Sequence, residues 1–385
     1  MKDILVIASN STSAMGARGI QAERLIKALS EIYRIFLITS KTSKAREYLD
    51  KENISISAIS SLHYLFKAAF RRIWFYLSQT DILYYQHAKI KGAEILAENK
   101  TGTVLTLSTW YSNAMAGIYL KKRFNNITLI SFLSDPLSIN PLFYSFFWQK
   151  ALLRKYEKAI FRYSDISVFP SVLMKDIYSE IYPQYCSKFR VIPHSYNNNE
   201  GGIGKKSNLR AGGKKIIHHF GLLYRKRNPF ALLDYIKNNR NYFIDRNIEF
   251  HFYGPVEKSM NNRIKNYEDS VIRFFGPVPY SRVKEKMADS FALLVIDANF
   301  EKSPFLPSKL VEYLACRIPI IALTPAISES RRVLEETGHY WIDYKDISVI
   351  KDCIESIEKF SGTTIKNIED YDIASIAGRW QEIIQ

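Results

Sequence analysis

Residues 2–40 read KDILVIASNSTSAMGARGIQAERLIKALSEIYRIFLITS. DILVIAS is an apolar run of strand length. GIQAERLIKALSEI repeats apolar residues at helical spacing, and YRIFLITS reads as a second strand. Together they make a βαβ opening, in which the helix carries the chain back so that the two strands lie parallel.

Outward from this opening the alternation continues. DILYYQH (81–87), GTVLTLS (102–108), ITLISFLS (127–134) and DISVFPS (165–171) read as strands, with SNAMAGIYLKKRF (112–124) and WQKALLRKYEKAIFRY (148–163) as helices. VIPHSYNNNEGGIGKKSNLRAGGKK (191–215) breaks the pattern with Asn, Gly and Lys. A second series follows: KIIHHFG (215–221), a helix from NPFALLDYIKNN (228–239), IEFHFYG (248–254), VIRFFG (271–276), FALLVID (291–297) and SPFLPSKLVEYLACRIPIIAL (303–323). Two helical runs, 347–360 and 373–385, close the chain. The expected division is an N-terminal Rossmann-like domain over 1–195, a linker over 196–213, a C-terminal Rossmann-like domain over 214–370, and a helix over 371–385 packing back on the first domain.

Composition narrows the class. Of 385 residues 47% are hydrophobic and 24% charged, with 16 Gly and 13 Pro, which excludes a disordered or collagen-like chain. MKDILVIASN has no signal-peptide pattern, and no stretch of about 18 uninterrupted apolar residues occurs. Cys186, Cys316 and Cys353 are scattered without metal-ligand spacing, so a reduced cytoplasmic protein with buried free thiols is expected. The formal charge is +16; residues 1–195 hold 26 Lys and Arg against 14 Asp and Glu, hence +12, and the remainder holds +4. Such an excess suits an anionic lipid surface, a nucleic acid or a phosphorylated substrate.

In parallel sheets ligands bind beyond the carboxyl ends of strands, so the strand-to-helix corners are the candidate sites. The first carries Gly16, Arg18 and Gly19; its spacing is not G-x-G-x-x-G, and a plain turn is an equal reading. The second, HFGLLYRKRNP, follows Gly221 with Arg225, Lys226 and Arg227, three cations suited to a diphosphate and also readable as a solvated basic loop. In LPSKLVEYL, Ser308 reads as an N-cap, and Lys309 and Glu312 lie one turn apart on one side. A lysine there opposes the helix dipole unless an anion sits between them, and an ionised Glu312 accepts hydrogen bonds as a ribose would require; a surface ion pair is the alternative.

VIPHSYN, FGLLYRKRNPFALL, FYGPV, FFGPVP and LPSKLVEYLACRIPIIAL, in this order and spacing, resemble the family-4 retaining glycosyltransferases of GT-B fold. The resemblance implies two doubly wound domains facing across a cleft, and a nucleotide-sugar donor, UDP- or GDP-linked, serving as substrate with no cofactor or metal. It implies Arg227, with Arg225 as a second candidate, and Lys309 on the donor diphosphate. Ser308 lies at the same corner, Glu312 would contact the ribose, and backbone near Val278 the base. Gly221 and the Gly16–Gly19 loop with Arg18 would face the phosphates, and Asp135 stands where many members carry a histidine near the transferred sugar. His194, in the IPH element, reads as structural. The family's first glutamate, eight residues before Glu312, is Pro304 here; Glu301 is the nearest substitute as a sugar contact. The glycine expected before the next strand is replaced around Arg317.

Residues 62–79, LHYLFKAAFRRIWFYLSQ, interleave Lys67, Arg71 and Arg72 with Trp74 and other aromatics, and 140–162 form a second basic amphipathic stretch. Both suit a helix lying on an anionic membrane surface and read equally as core-facing helices with a basic outer side. The expected activity is sugar transfer to a lipid-linked glycan acceptor at the inner leaflet of the plasma membrane, in capsule, O-antigen or lipopolysaccharide synthesis, with no nucleic-acid partner. The alternatives are a non-hydrolysing nucleotide-sugar 2-epimerase and a catalytically idle basic binding protein of the same fold.

Overall fold

The computed structural model describes residues 1–40, 44–59, 81–99, 101–108, 111–140, 147–198, 213–360 and 365–385. They form two compact units, Met1–Ser195 with Ile373–Gln385, and Tyr196–Asp372. Both are parallel α/β units of the fold class expected.

The strands of the first unit are β1 (Lys2–Ile7), β2 (Tyr33–Ser40), β3 (Ile54–Ile59), β4 (Thr103–Ser108), β5 (Thr128–Leu133), β6 (Ile166–Phe169) and β7 (Phe189–Val191). They form one sheet in the order β3-β2-β1-β4-β5-β6-β7. Every pairing is parallel. Such a sheet is covered on both faces, which explains the unbroken apolar run of β1. Ile4 and Val6 pack with Ile26, Leu29 and Trp380 on one face. Leu5 and Ile7 pack with Tyr84 and Leu120 on the other. Each such fully buried aliphatic side chain contributes about 1.5–3 kcal/mol.

The second unit contains β8 (Lys215–Phe220), β9 (Ile248–Tyr253), β10 (Ile272–Gly276), β11 (Ala292–Ile296), β12 (Lys302–Ser303), β13 (Ile320–Leu323), β14 (Ile327–Ser328) and β15 (Tyr340–Ile342). Six of them form a sheet ordered β10-β9-β8-β11-β13-β15, and β12 pairs with β14. In each large sheet the chain builds outward from a first strand, then returns to its other side. The switch points lie between β1 and β4 and between β8 and β11, where such sheets take ligands.

Three expectations are corrected. DILYYQH is not a strand: Ile82–Asn99 is helical, with Tyr84, Ala88, Gly92 and Leu96 buried four residues apart. Asp81 starts it, its carboxylate accepting the Tyr84 N–H at 3.0 Å. A short apolar run cannot distinguish a buried helix from a strand, and the cap decided it. Ser308 is not the N-cap; the helix Ser308–Leu314 begins with it, and Pro307 holds the cap position without a side-chain bond. Cys186 is exposed, whereas Cys353 is buried as expected of a free thiol.

The helix Ile373–Ile384 belongs to the first unit, where Trp380 is 2% exposed and meets Phe132 edge-on at 5.7 Å. No helix among the described residues is long and apolar enough to cross a membrane.

Candidate functional site

At the switch point of the first unit, the loop after β1 is held by an asparagine, hydroxyls and one carboxylate. Asn113 accepts the Ser9 N–H at 3.3 Å and donates to the Leu107 carbonyl at 2.7 Å. The Ser11 and Thr39 hydroxyls lie 2.7 Å apart, and the Ser13 N–H donates to Glu23 at 2.7 Å. Gly16 turns the loop into the helix Ala17–Leu29 at φ 78, in the left-handed half of conformational space that glycine adopts without cost. Gly19 is a buried residue of that helix.

Arg18 and Asp135 are brought together: Nη2 lies 2.7 Å from Oδ2. The cation of this loop therefore has a carboxylate partner. Beside the pair is a cavity lined by Arg18, Leu107, Phe132, Ser134, His194 and Trp380 among others. His194 stands edge-on to Phe132 at 6.1 Å. Burial, reinforced by the Arg18 charge, pushes its pKa down to about 4, so the ring is neutral.

At the switch point of the second unit the balance of charge differs. β8 ends at Phe220, and Gly221 bends away. The end of β9 passes so close that a Cβ on Gly254 would lie 2.2 Å from the Gly221 carbonyl oxygen. Gly254 also has φ 130, so position 254 requires glycine on both counts. A Cβ on Gly221 would lie 2.9 Å from His219 Nε2 and 3.8 Å from Lys309 Nζ. The strand end, the histidine and the lysine therefore meet at one point.

Lys309 donates from Nζ to the Phe220 carbonyl, the last of β8. Burial pulls its pKa down to about 8; Glu312 opposes this and Arg227 adds to it. Glu312 is half-buried on the same helix. Arg227 is half-buried, with its guanidinium 5.6 Å from the Tyr224 ring centre, and its buried Nε has no hydrogen-bond partner. His219 Nδ1 is 2.9 Å from the Leu294 carbonyl, while its buried Nε2 has no partner. Burial first, then Lys309 and Arg227, hold this histidine neutral with a pKa of about 3. Two cations close enough to disfavour one another, beside buried polar atoms that lack partners, form a corner suited to an anion.

The remaining sequence candidates divide. Ser308 is the half-buried first residue of the Lys309 helix. Val278 follows β10 and packs on the core cluster that contains Leu310 and Val311. Arg225 is exposed, and its backbone N–H donates to Glu257 at 2.9 Å. Glu301 is exposed, whereas Pro304 is buried. Lys67, Arg71, Arg72 and Trp74 lie outside the described residues. Sequence reasoning missed His219; the available signal was a polar residue within an otherwise apolar strand, HHF. Among the described residues no group of His, Cys, Asp and Glu has the arrangement of a metal site.

No family model matches the chain, and no curated protein matches its sequence. Solved structures do match. HepE of Anabaena, in complex with UDP, superposes with a TM-score of 0.70 at 14% identity, over 100% of this chain and 99% of that one. Sucrose-phosphate synthase of Thermosynechococcus elongatus gives 0.71 at 13% identity, over 100% and 98%. The UDP-GlcNAc 2-epimerase of Methanocaldococcus jannaschii gives 0.60 at 13% identity, over 100% and 99%. The fold is GT-B, and at this identity the likeness is one of fold.

Proposed function

We propose that the protein is a glycosyltransferase whose second unit holds a nucleotide-sugar donor, UDP- or GDP-linked, as substrate. The observation that carries this reading is the Arg227–Lys309 corner at the β8/β11 switch point, with the buried Arg227 Nε lacking a partner. HepE, similar in fold, was solved with UDP and with UDP-glucose. Arg227 and Lys309 would hold the diphosphate, Glu312 the ribose, and backbone near Val278 the base.

The resemblance to family-4 enzymes supports a retaining, metal-independent reaction. The bond from the sugar's anomeric carbon to the β-phosphate oxygen breaks, and the nucleoside diphosphate leaves with the electron pair. The acceptor hydroxyl oxygen bonds to that carbon from the same face, and its proton passes to the departing phosphate. The protein's task is to position the groups and stabilise negative charge on the leaving diphosphate, for which Arg227 and Lys309 are suited. The acceptor we propose is a lipid-linked glycan at the cytoplasmic face of the plasma membrane, in surface polysaccharide synthesis. Supporting a membrane-facing role, the helix Phe147–Tyr163 exposes Phe147 at 88% together with Trp148, Arg154, Lys155, Lys158 and Arg162.

A second reading, a nucleotide-sugar 2-epimerase, is favoured by the presence of such epimerases among the structures of similar fold. A thermal-shift panel of UDP, GDP, ADP, CMP and their sugars, followed by product analysis, tests both. UDP or GDP should raise Tm, and Arg227→Ala or Lys309→Ala should remove that shift in protein that still unfolds cooperatively. No rise with any nucleotide sinks the nucleotide-sugar reading, and a donor returned epimerised selects the second.

A further inference from the structure

Beneath the anion corner lies a carboxylate that the proposed chemistry does not use. Asp297 follows β11 and is fully buried. Its Oδ2 accepts hydrogen bonds from Ser330 Oγ at 3.0 Å, Ser303 Oγ at 3.1 Å and Thr324 Oγ1 at 3.2 Å. Oδ1 accepts the Ala298 N–H at 2.7 Å. The Tyr344 hydroxyl donates to the Asp297 carbonyl at 2.7 Å, and the Asn299 N–H donates to the Lys226 carbonyl at 2.8 Å, tying this loop to the residue before Arg227. Burial outweighs the groups that oppose it and raises the acid's pKa; of those opposing groups, the Arg227 charge is the largest.

Three hydroxyls crowd Oδ2, while Oδ1 accepts one backbone N–H and keeps a second lone-pair position. The Arg227 charge acts on this carboxylate, and its own buried Nε has no hydrogen-bond partner. A bare buried anion is strongly disfavoured, and three hydroxyls around one oxygen offset that cost.

We propose that Asp297 is a positioning residue: its charge holds the Arg227 guanidinium in place while hydroxyls, not the guanidinium, occupy Oδ2, so that Arg227 meets a diphosphate pre-oriented. This rests on the nucleotide-sugar reading of the same corner. It makes a prediction whose sign opposes simple electrostatics. Removing a negative charge near an anion site should tighten anion binding, whereas losing the orientation of Arg227 should weaken it.

The test is the UDP and uridine affinity of the wild type, Asp297→Asn, Arg227→Ala and the double variant, measured by calorimetry on the full chain, with GDP and guanosine in parallel. Asp297→Asn is expected to weaken binding of the diphosphate about tenfold, leave the nucleoside unchanged, and add almost nothing in the Arg227→Ala background. Tighter diphosphate binding, or an equal loss with and without Arg227, overturns the proposal while leaving the nucleotide reading intact. A wild type that binds no nucleotide overturns both. If Asp297→Asn fails to fold, Ser330→Ala, which loosens the cradle but keeps the charge, should weaken UDP binding about threefold and also lose its effect without Arg227.

Discussion

The two switch points are built on the same kind of sheet and end in opposite chemistry. In the first unit, hydroxyls and an asparagine pin the loop after β1, and Arg18 is joined to Asp135 at 2.7 Å. In the second, burial and the Arg227 charge lower the Lys309 pKa, and three hydroxyls crowd Oδ2 of the Asp297 carboxylate. A doubly wound sheet supplies a crevice; the side chains at its corner decide whether that crevice is electrostatically satisfied or waits for an anion.

The comparison can be broken most severely at its glycines. Gly16 has open space around it, whereas a Cβ on Gly254 meets the Gly221 carbonyl oxygen at 2.2 Å. Gly254→Ala should destabilise the second unit by about 4 kcal/mol, and Gly16→Ala the first by only about 1–2 kcal/mol, read by urea unfolding. Equal losses would mean that the two corners are equally tight.

A second contrast is charge, +12 over residues 1–195 against +4 over the rest. Reversing Lys155 and Lys158 to Glu should weaken binding to vesicles containing anionic lipid by about 2 kcal/mol or more, at about 1 kcal/mol per basic residue near the surface. Unchanged cosedimentation would remove the helix Phe147–Tyr163 from the membrane face.

The smallest effect sharpens the second corner alone. Lys309 must be protonated to hold an anion, and its pKa is lowered to about 8. UDP affinity should therefore be full near pH 7 and fall as pH rises through 8 to 9, by up to about tenfold. Lys309→Arg, which stays charged, should flatten the profile. A wild-type profile already flat from pH 7 to 9 would place the lysine outside the binding equilibrium.

Much of this was legible in the chain. The βαβ opening, the second α/β series after the Asn- and Gly-rich break, and the corner cations follow from period, length and residue type. DILYYQH misled because its apolar run is short and the Asp81 cap acts only once the backbone turns. The three-residue strand Phe189–Val191 is too brief to carry a pattern. Arg317 is instructive: it stands where a glycine was expected, and the backbone keeps the glycine-like conformation, φ 53, with an ion pair to Glu369 at 3.0 Å. The turn is dictated by the helix end and the strand that follows, and the side chain accepts a strain of roughly 1–2 kcal/mol.

The sequence by itself determined the α/β class and which residue types stand at each corner, because periodicity and glycine placement act within a few residues along the chain. Only the tertiary structure decided which charges are satisfied. Arg18 finds Asp135 from 117 positions away, while Arg227 finds Oδ2 of Asp297 already occupied by hydroxyls. Pairing, burial and the pKa shifts they cause depend on distances between segments remote in sequence, and those distances exist only once the sheets have formed.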